Sequence, residues 1–326
     1  MVDNIDKKIL QRLHKNSRSP VSSIAKDTSL TREVVGYRIK KMEEESIIRG
    51  YPAKINQAFF CEGVANILLK VTRTDSKRFK EILNYLQNHR AVNWIAELSG
   101  NADIAATFLY KNTEDIGTIV SEILDFIGAN LREHRLSLYI TEYKFEREGI
   151  LSQKAKQAIP EAIVSFKGKK EIKLDRDDII ILRELSKNSR TKNIEIAEKT
   201  SLSEDMIRLR IKKLEKQKII FGYGVEIDTS KLGLEAYQVE MQIENLTKEI
   251  SGKLQYYVHS NPYIIYCVRS VGKYNVIMTL HAKNNAHFNE LLLDLRNQFG
   301  NLLTDYEFQL EIKEHKEVYV PEDYIE

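Results

Sequence analysis

Two stretches of this chain carry side chains of the types and spacing that could grip a polyanion. Thr31, Arg32, Gly36, Tyr37, Lys40 and Lys41 fall on one side of an expected helix, while Val35, Ile39 and Met42 recur at i, i+4 and i+7 on the other. Ser203, Arg208, Lys212 and Lys213 repeat the arrangement 172 residues later. Ammonium and guanidinium groups neutralise phosphates, and an arginine near a helix start can bond a guanine edge in the major groove. Thr31 and Ser203 are the residue types that cap such a helix. Other chemistry is thin. The histidines are His14, His89, His134, His259, His281, His287 and His315, and none stands at a metal spacing such as His-Glu-x-x-His. His281 and His287 straddle a strand end and a helix start and read as surface residues. Cys61 and Cys267 show no metal spacing and read as buried apolar thiols. No nucleophile motif, phosphate loop or acid/base pair appears, so no catalytic residue, cofactor or metal is expected.

The elements that position these residues occur twice. Asn16-Ser17-Arg18 returns as Asn188-Ser189-Arg190, and the offset of 172 then holds without a gap through Arg38-Ile39-Lys40-Lys41 and Arg210-Ile211-Lys212-Lys213 to Gly50-Tyr51 and Gly222-Tyr223. A register this long means two copies of one module rather than a solenoid repeat. In the first copy, residues 6–15 form an amphipathic helix, and Ser19 is expected to cap a second helix with Pro20 at its first position. A tight turn at Ser29-Leu30 leads to the third helix, and residues 47–55 alternate as a strand. Three short helices with such a turn predict a winged helix-turn-helix.

Each copy then predicts the order βαββαβ of a ferredoxin-like sheet. The first has strands at 64–71, 92–98, 104–110 and 136–145 and helices at 76–88 and 113–127; the second has strands at 236–243, 264–270, 275–281 and 305–314 and helices at 247–259 and 286–300. The fold class is α+β. The expected division is 1–56 and 173–228 for the helix-turn-helix domains, 57–145 and 229–326 for the ferredoxin-like domains, and 146–172 for a polar, Lys-rich linker.

The net charge of +3 hides a segregation that matches this division. Residues 1–56 carry 12 Lys/Arg against 7 Asp/Glu, whereas residues 229–326 carry 9 against 14. A basic segment beside an acidic one fits a nucleic-acid reader joined to a part that avoids phosphates. No apolar run approaches the roughly 20 residues of a membrane span, and the first ten residues lack a signal-peptide core. A cytoplasmic location is expected.

The whole chain resembles the Lrp/AsnC family of feast-or-famine transcription regulators. The resemblance rests on Val35-Gly36-Tyr37-Arg38-Ile39-Lys40-Lys41-Met42-Glu43 followed by Ile48-Arg49-Gly50-Tyr51. Ile207-Arg208-Leu209-Arg210-Ile211-Lys212-Lys213-Leu214-Glu215 and Ile220-Phe221-Gly222-Tyr223 repeat it. It implies double-stranded DNA as a partner, an amino acid or related metabolite as effector, and self-association through the ferredoxin-like sheets. It also implies an effector loop of Gly-x-x-Asp type. Here that loop is Gly100-Asn101-Ala102-Asp103, and Gly272-Lys273-Tyr274-Asn275 in the second copy, where the carboxylate is lost. Gly100, Asn101, Asp103, Gly272, Tyr274 and Asn275 are therefore the candidate effector residues. The chain departs from the common single-module form in being a tandem fusion, which predicts an intrachain pseudo-twofold dimer with the sheets face to face, or a homodimer.

Two other readings stand beside the regulator. Siroheme decarboxylases are similar in fold and occur as related pairs or fusions. Arg269 and Tyr274-Asn275 echo them faintly, but the segments after the third helices are those of regulators. The other reading is an adaptor that hetero-oligomerises with single-module relatives.

Overall fold

The computed structural model describes residues 2–145, 148–152, 164–165 and 172–321. The first helix, α1 (Asn4–Lys15), starts before its apolar periodicity because Asp3 caps it. The Asp3 carboxylate accepts from the amides of Ile5 at 2.8 Å and Asp6 at 2.7 Å, and Asp6 returns the favour to the Asp3 amide at 3.1 Å. In α2 (Val21–Thr28) the expected Ser19 cap is absent. Pro20 is itself the cap residue, since its ψ of 144° keeps it outside the helix, and its own side chain makes no capping hydrogen bond. Ser29, at φ 58°, turns the chain into α3 (Arg32–Glu44).

Two short strands follow, β1 (Ile48–Gly50) and β2 (Ala53–Ile55), and then the first ferredoxin-like run. It comprises β3 (Gly63–Val71), α4 (Ser76–Asn88), β4 (Val92–Ser99), β5 (Ile104–Tyr110), α5 (Thr113–Ile127) and β6 (Leu131–Phe145). Of the expected linker, α6 (Glu148–Ser152) and β7 (Val164–Ser165) are described. The second copy runs α7 (Arg176–Lys187), α8 (Asn193–Ala197), α9 (Glu204–Lys216), β8 (Ile220–Tyr223) and β9 (Glu226–Ile227). Its sheet and covering helices are β10 (Glu235–Ile243), α10 (Lys248–Ser260), β11 (Ile264–Val271), β12 (Val276–Ala282), α11 (Asn285–Phe299) and β13 (Leu303–Glu317).

The sheets are β4-β5-β3-β6 and β11-β12-β10-β13, and they join at both edges. β6 pairs antiparallel with β11 from Tyr266–Phe145 to Val271–Leu138, and β13 with β4 from Leu310–Ser99 to Glu317–Trp94. The face-to-face packing expected from the sequence is therefore a closed ring of eight strands. Edge pairing satisfies backbone groups that a simple sandwich would leave open. Both seams carry register shifts, at Cys267/Val268 and Arg269/Ser270 on one side and at Glu311/Lys313 and Glu314/Lys316 on the other. Strand alternation sends Ile67, Leu69, Ile95, Ile104, Ala106 and Phe108 outward under α4 and α5, and Val239, Met241, Val276, Met278 and Leu280 outward under α10 and α11.

The wing also differs from expectation. Each module's strand after the third helix pairs across the pseudo-twofold, not within its own module: β1 lies against β9 and β2 against β8. The two helix-turn-helix units are tied at the same place. Ser17 Oγ meets its equivalent Ser189 Oγ at 2.9 Å, and Arg190 stacks 3.6 Å from the Tyr51 ring centroid as Arg18 does at 4.9 Å over Tyr223.

Candidate functional site: two third helices around a barrel cavity

Each third helix turns one basic side chain inward and the rest outward. Arg38 reaches back to Asp3 and Asp6, both at 2.8 Å; Arg210 does the same to Asp175 at 2.6 Å and Asp178 at 2.9 Å. Arg210 holds the Asp175 carboxyl below its ordinary range, and the Asp6 amide and then Arg38 do so for Asp3. These arginines fasten α3 to α1 and α9 to α7. The outward set is available to a partner: Arg32, Tyr37, Lys40 and Lys41 on α3, and Arg208, Lys212 and Lys213 on α9, are all exposed. Gly36 sits among them with nothing within 4 Å of a notional Cβ. Thr31 and Ser203 act as caps, each hydroxyl accepting at 3.4 Å from the amide three residues on. The copies differ at the tip. Tyr37 is 68% exposed on α3, whereas α9 shows Leu209 at 62% and commits Arg208 to Asp205 at 2.8 Å.

The two glycine loops lie where one module's sheet approaches the other. A Cβ on Gly272 would meet Ser137 Oγ at 2.7 Å, and one on Gly100, whose φ is +146°, would meet Gln309 Cγ at 3.1 Å. The loop side chains have partners of their own. Asp103 accepts from Lys70 Nζ and from the Val71 amide, both at 2.8 Å. Asn275 takes the same role for Ile243, accepting from its amide at 2.9 Å and donating to its carbonyl at 2.8 Å. The Tyr274 hydroxyl donates to Asp305 at 3.0 Å. Of the six loop candidates only Asn101 is exposed with a polar side chain to spare; Gly100 and Gly272 are exposed but bring backbone alone.

Inside the ring of strands lies a cavity of about 730 Å³, which the sequence reading missed. Its size suits a small molecule. The wall includes Trp94, Thr107, Tyr139, Glu142, Gln238, Tyr266, Thr279 and His281, and it extends to Arg49 on β1 and Asp228 just after β9. His281, expected at the surface, is 3% exposed because its place on β12, opposite Ala236, turns it inward. His287 is half-buried against Tyr263. Among the described residues Glu97, Asp228, Glu235, Glu311, Glu314 and Glu317 line the cavity, together with Glu142, against Arg49, Lys231 and Lys313, so acidic side chains outnumber basic ones there. Burial, opposed by a Tyr266 hydrogen bond, pushes the Glu142 carboxyl up to about 8. The signal available beforehand was a polar residue at equivalent places in otherwise apolar strands: Asn66 with Gln238, and Thr107 with Thr279. Cys61 and Cys267 are buried and not joined in a disulfide, and Cys61 Sγ donates to the Gln57 carbonyl at 3.1 Å.

Residues 2–43 and 174–215 each match the AsnC-type helix-turn-helix domain. The regulator LrpA of Pyrococcus abyssi is 34% identical over 123 residues, which cover 37% of this chain and 84% of that protein. The chain belongs to the Lrp/AsnC family of DNA-binding transcription regulators. The regulator FL11 of the same organism is 30% identical over 129 residues, covering 39% of this chain and 81% of FL11. Each of these relatives thus corresponds to less than half of the Lrp/AsnC protein described here. A solved structure of similar fold over 98% of this chain and 94% of its own is the siroheme decarboxylase NirDL in co-complex with an iron-uroporphyrin III analogue, at 15% identity and a TM-score of 0.61. Among the described residues no helix is long and apolar enough to cross a membrane.

Proposed function

We propose that this protein is a sequence-specific, two-headed DNA reader whose affinity or assembly responds to an amino acid or related small metabolite. The observation that carries the reading is the sorting of basic side chains on the third helices. Arg38 and Arg210 are spent on folding, while Arg32, Lys40, Lys41, Lys212 and Lys213 stay exposed on the outward face. A helix so dressed lies in the major groove with its N-terminal residues at the bases and its lysines near phosphates. Both heads hang from strands exchanged across the pseudo-twofold, which supports their acting as one unit. The test is retention of selected duplexes by the full chain at several salt concentrations. Sequence-dependent retention that weakens with salt and drops on Arg32→Ala supports the reading. Binding that ignores sequence and Arg32 would remove it.

The second reading, a siroheme decarboxylase-like enzyme, is favoured by the shared two-module architecture and by the cavity. The cavity's lining opposes it, because a uroporphyrin is ringed by carboxylates and would meet an excess of acidic side chains here. Tetrapyrrole absorbance on the purified protein together with CO2 release from such a substrate would establish the enzyme.

A further inference from the structure

The barrel interior presents carboxyl groups, a buried amide and aromatic faces side by side. We propose that the cavity binds a small organic cation, a ligand bearing an ammonium or guanidinium group, between Glu142, Gln238 and the rings of Trp94, Tyr139 and Tyr266. The proposal deepens the regulatory reading and rests on it only for the DNA measurement below.

Three observations carry it. Gln238 is 3% exposed and lines the cavity, yet its Oε1 has no hydrogen-bond partner among the described residues. A buried carbonyl oxygen left so is an acceptor waiting for a donor. Glu142 lies on β6 opposite Val268, at the seam between the two sheets, with Tyr266 hydrogen-bonded to it. The rings of Tyr139 and Tyr266 stand 6.3 Å apart at 45°, and aromatic faces attract cations through their quadrupole. Among the described residues the cavity's own bases do not supply a partner for Glu142: Lys231 and Lys313 are exposed, and Arg49 is held by Asp228 at 2.7 Å.

The same geometry offers a route to the DNA-reading heads. Glu314 accepts from Trp94 Nε1 at 3.0 Å and faces Arg49 at 3.7 Å. Arg49 belongs to β1, which follows α3 and pairs with β9 of the other module. A cation in the cavity competes with Arg49 for Glu314, so occupancy is felt at β1 and its partner β9.

Titration calorimetry of the full chain with spermidine and with arginine, and with glutarate as a charge-reversed control, tests the site directly. One or both cations should bind at about one per chain, and glutarate should not. Glu142→Gln and Gln238→Leu should each weaken that binding at least tenfold while leaving the circular dichroism near that of the parent. If one variant fails to fold, the other carries the same readout. No binding by either cation, equal binding of glutarate, or indifference to both substitutions overturns the proposal. DNA retention is then measured with and without the bound cation. Calorimetric binding without DNA retention at any salt leaves the cavity site standing and removes the regulatory reading, whereas DNA retention without calorimetric binding does the reverse.

Discussion

Asp103 and Asn275 hold equivalent strand ends, and the substitution between them shows what each atom is for. Both accept a backbone amide, from Val71 and Ile243; only Asp103 adds an ion pair, to Lys70. Both partners of that pair are about a quarter exposed, so Asp103→Asn should cost under about 1 kcal/mol in urea unfolding. Asp103→Ala leaves the Val71 amide without its acceptor and should cost about 1–3 kcal/mol. If the two variants unfold alike, the ion pair rather than the amide bond holds the loop. Glu142 makes a pH prediction. Tyr266 of β11 hydrogen-bonds to it, its charge would be felt by Tyr139 on its own strand and Cys267 on β11, and Glu97, His281 and Glu314 line the same cavity. Its folded carboxyl titrates above the ordinary value of 4.5, near 8, so the folded state binds the extra proton. That contribution to stability is complete below 4.5 and is lost as pH rises through about 8. The melting temperature should therefore fall across this window, and Glu142→Gln should flatten the fall; an unchanged slope would place the titration elsewhere.

Among the elements, α3 and α9 are alike in packing and unlike at the tip. Arg208 is engaged by Asp205, and Glu204 and Asp205 open the helix with negative charge, whereas α3 opens with Arg32 and Glu33. Acids there favour the helix dipole by about 0.3–1 kcal/mol but face phosphates in a groove. Arg32→Ala should cost about 1–3 kcal/mol of DNA affinity and Arg208→Ala less, giving an operator with one strong and one weak half-site. Equal losses at fixed salt, or a palindromic selected site, would contradict this. The elements themselves were legible because burial repeats at 3.6 or 2 residues: α4, β5 and α5 lie where periodicity places them. Their ends were less so, since Asp3 and Pro20 act through caps and ψ angles. The cross-module pairings β1–β9 and β6–β11 are made by backbone groups, which leave no mark on side-chain pattern. The cavity escaped for a related reason. Inward polar residues such as Asn66 and Gln238 look like the solvent face of a half-buried strand until the ring closes around them.

At the scale of the whole molecule, the modules are built to be different. Arg135 and Glu307 are equivalent positions, yet they face each other across the pseudo-twofold at 2.6 Å, with Lys273 on Glu307 at 2.6 Å and Glu240 against Arg135 at 3.3 Å. Against burial, Lys273 and then Arg135 draw Glu307 down to about 2. Arg135→Glu gathers three carboxylates there and should destabilise by about 1 kcal/mol at least, towards the 3–5 kcal/mol of a broken buried pair. Adding Glu307→Arg should recover part of that loss in a double-mutant cycle; no recovery would mean the two side chains act independently. The ring of strands also sets a schedule. Every seam joins residues far apart in the chain, such as Leu138 to Val271 and Ser99 to Leu310. At roughly 5–20 residues per second, a ribosome needs on the order of 10–30 s to deliver the second module after the first. During that wait the first sheet has an open edge at both β4 and β6, and neighbouring nascent chains on the same message offer the same edges. Two first modules meeting there would set Arg135 against Arg135. The charge that orders the finished barrel thus also works during synthesis, as a guard that keeps a half-made chain waiting for its own second half.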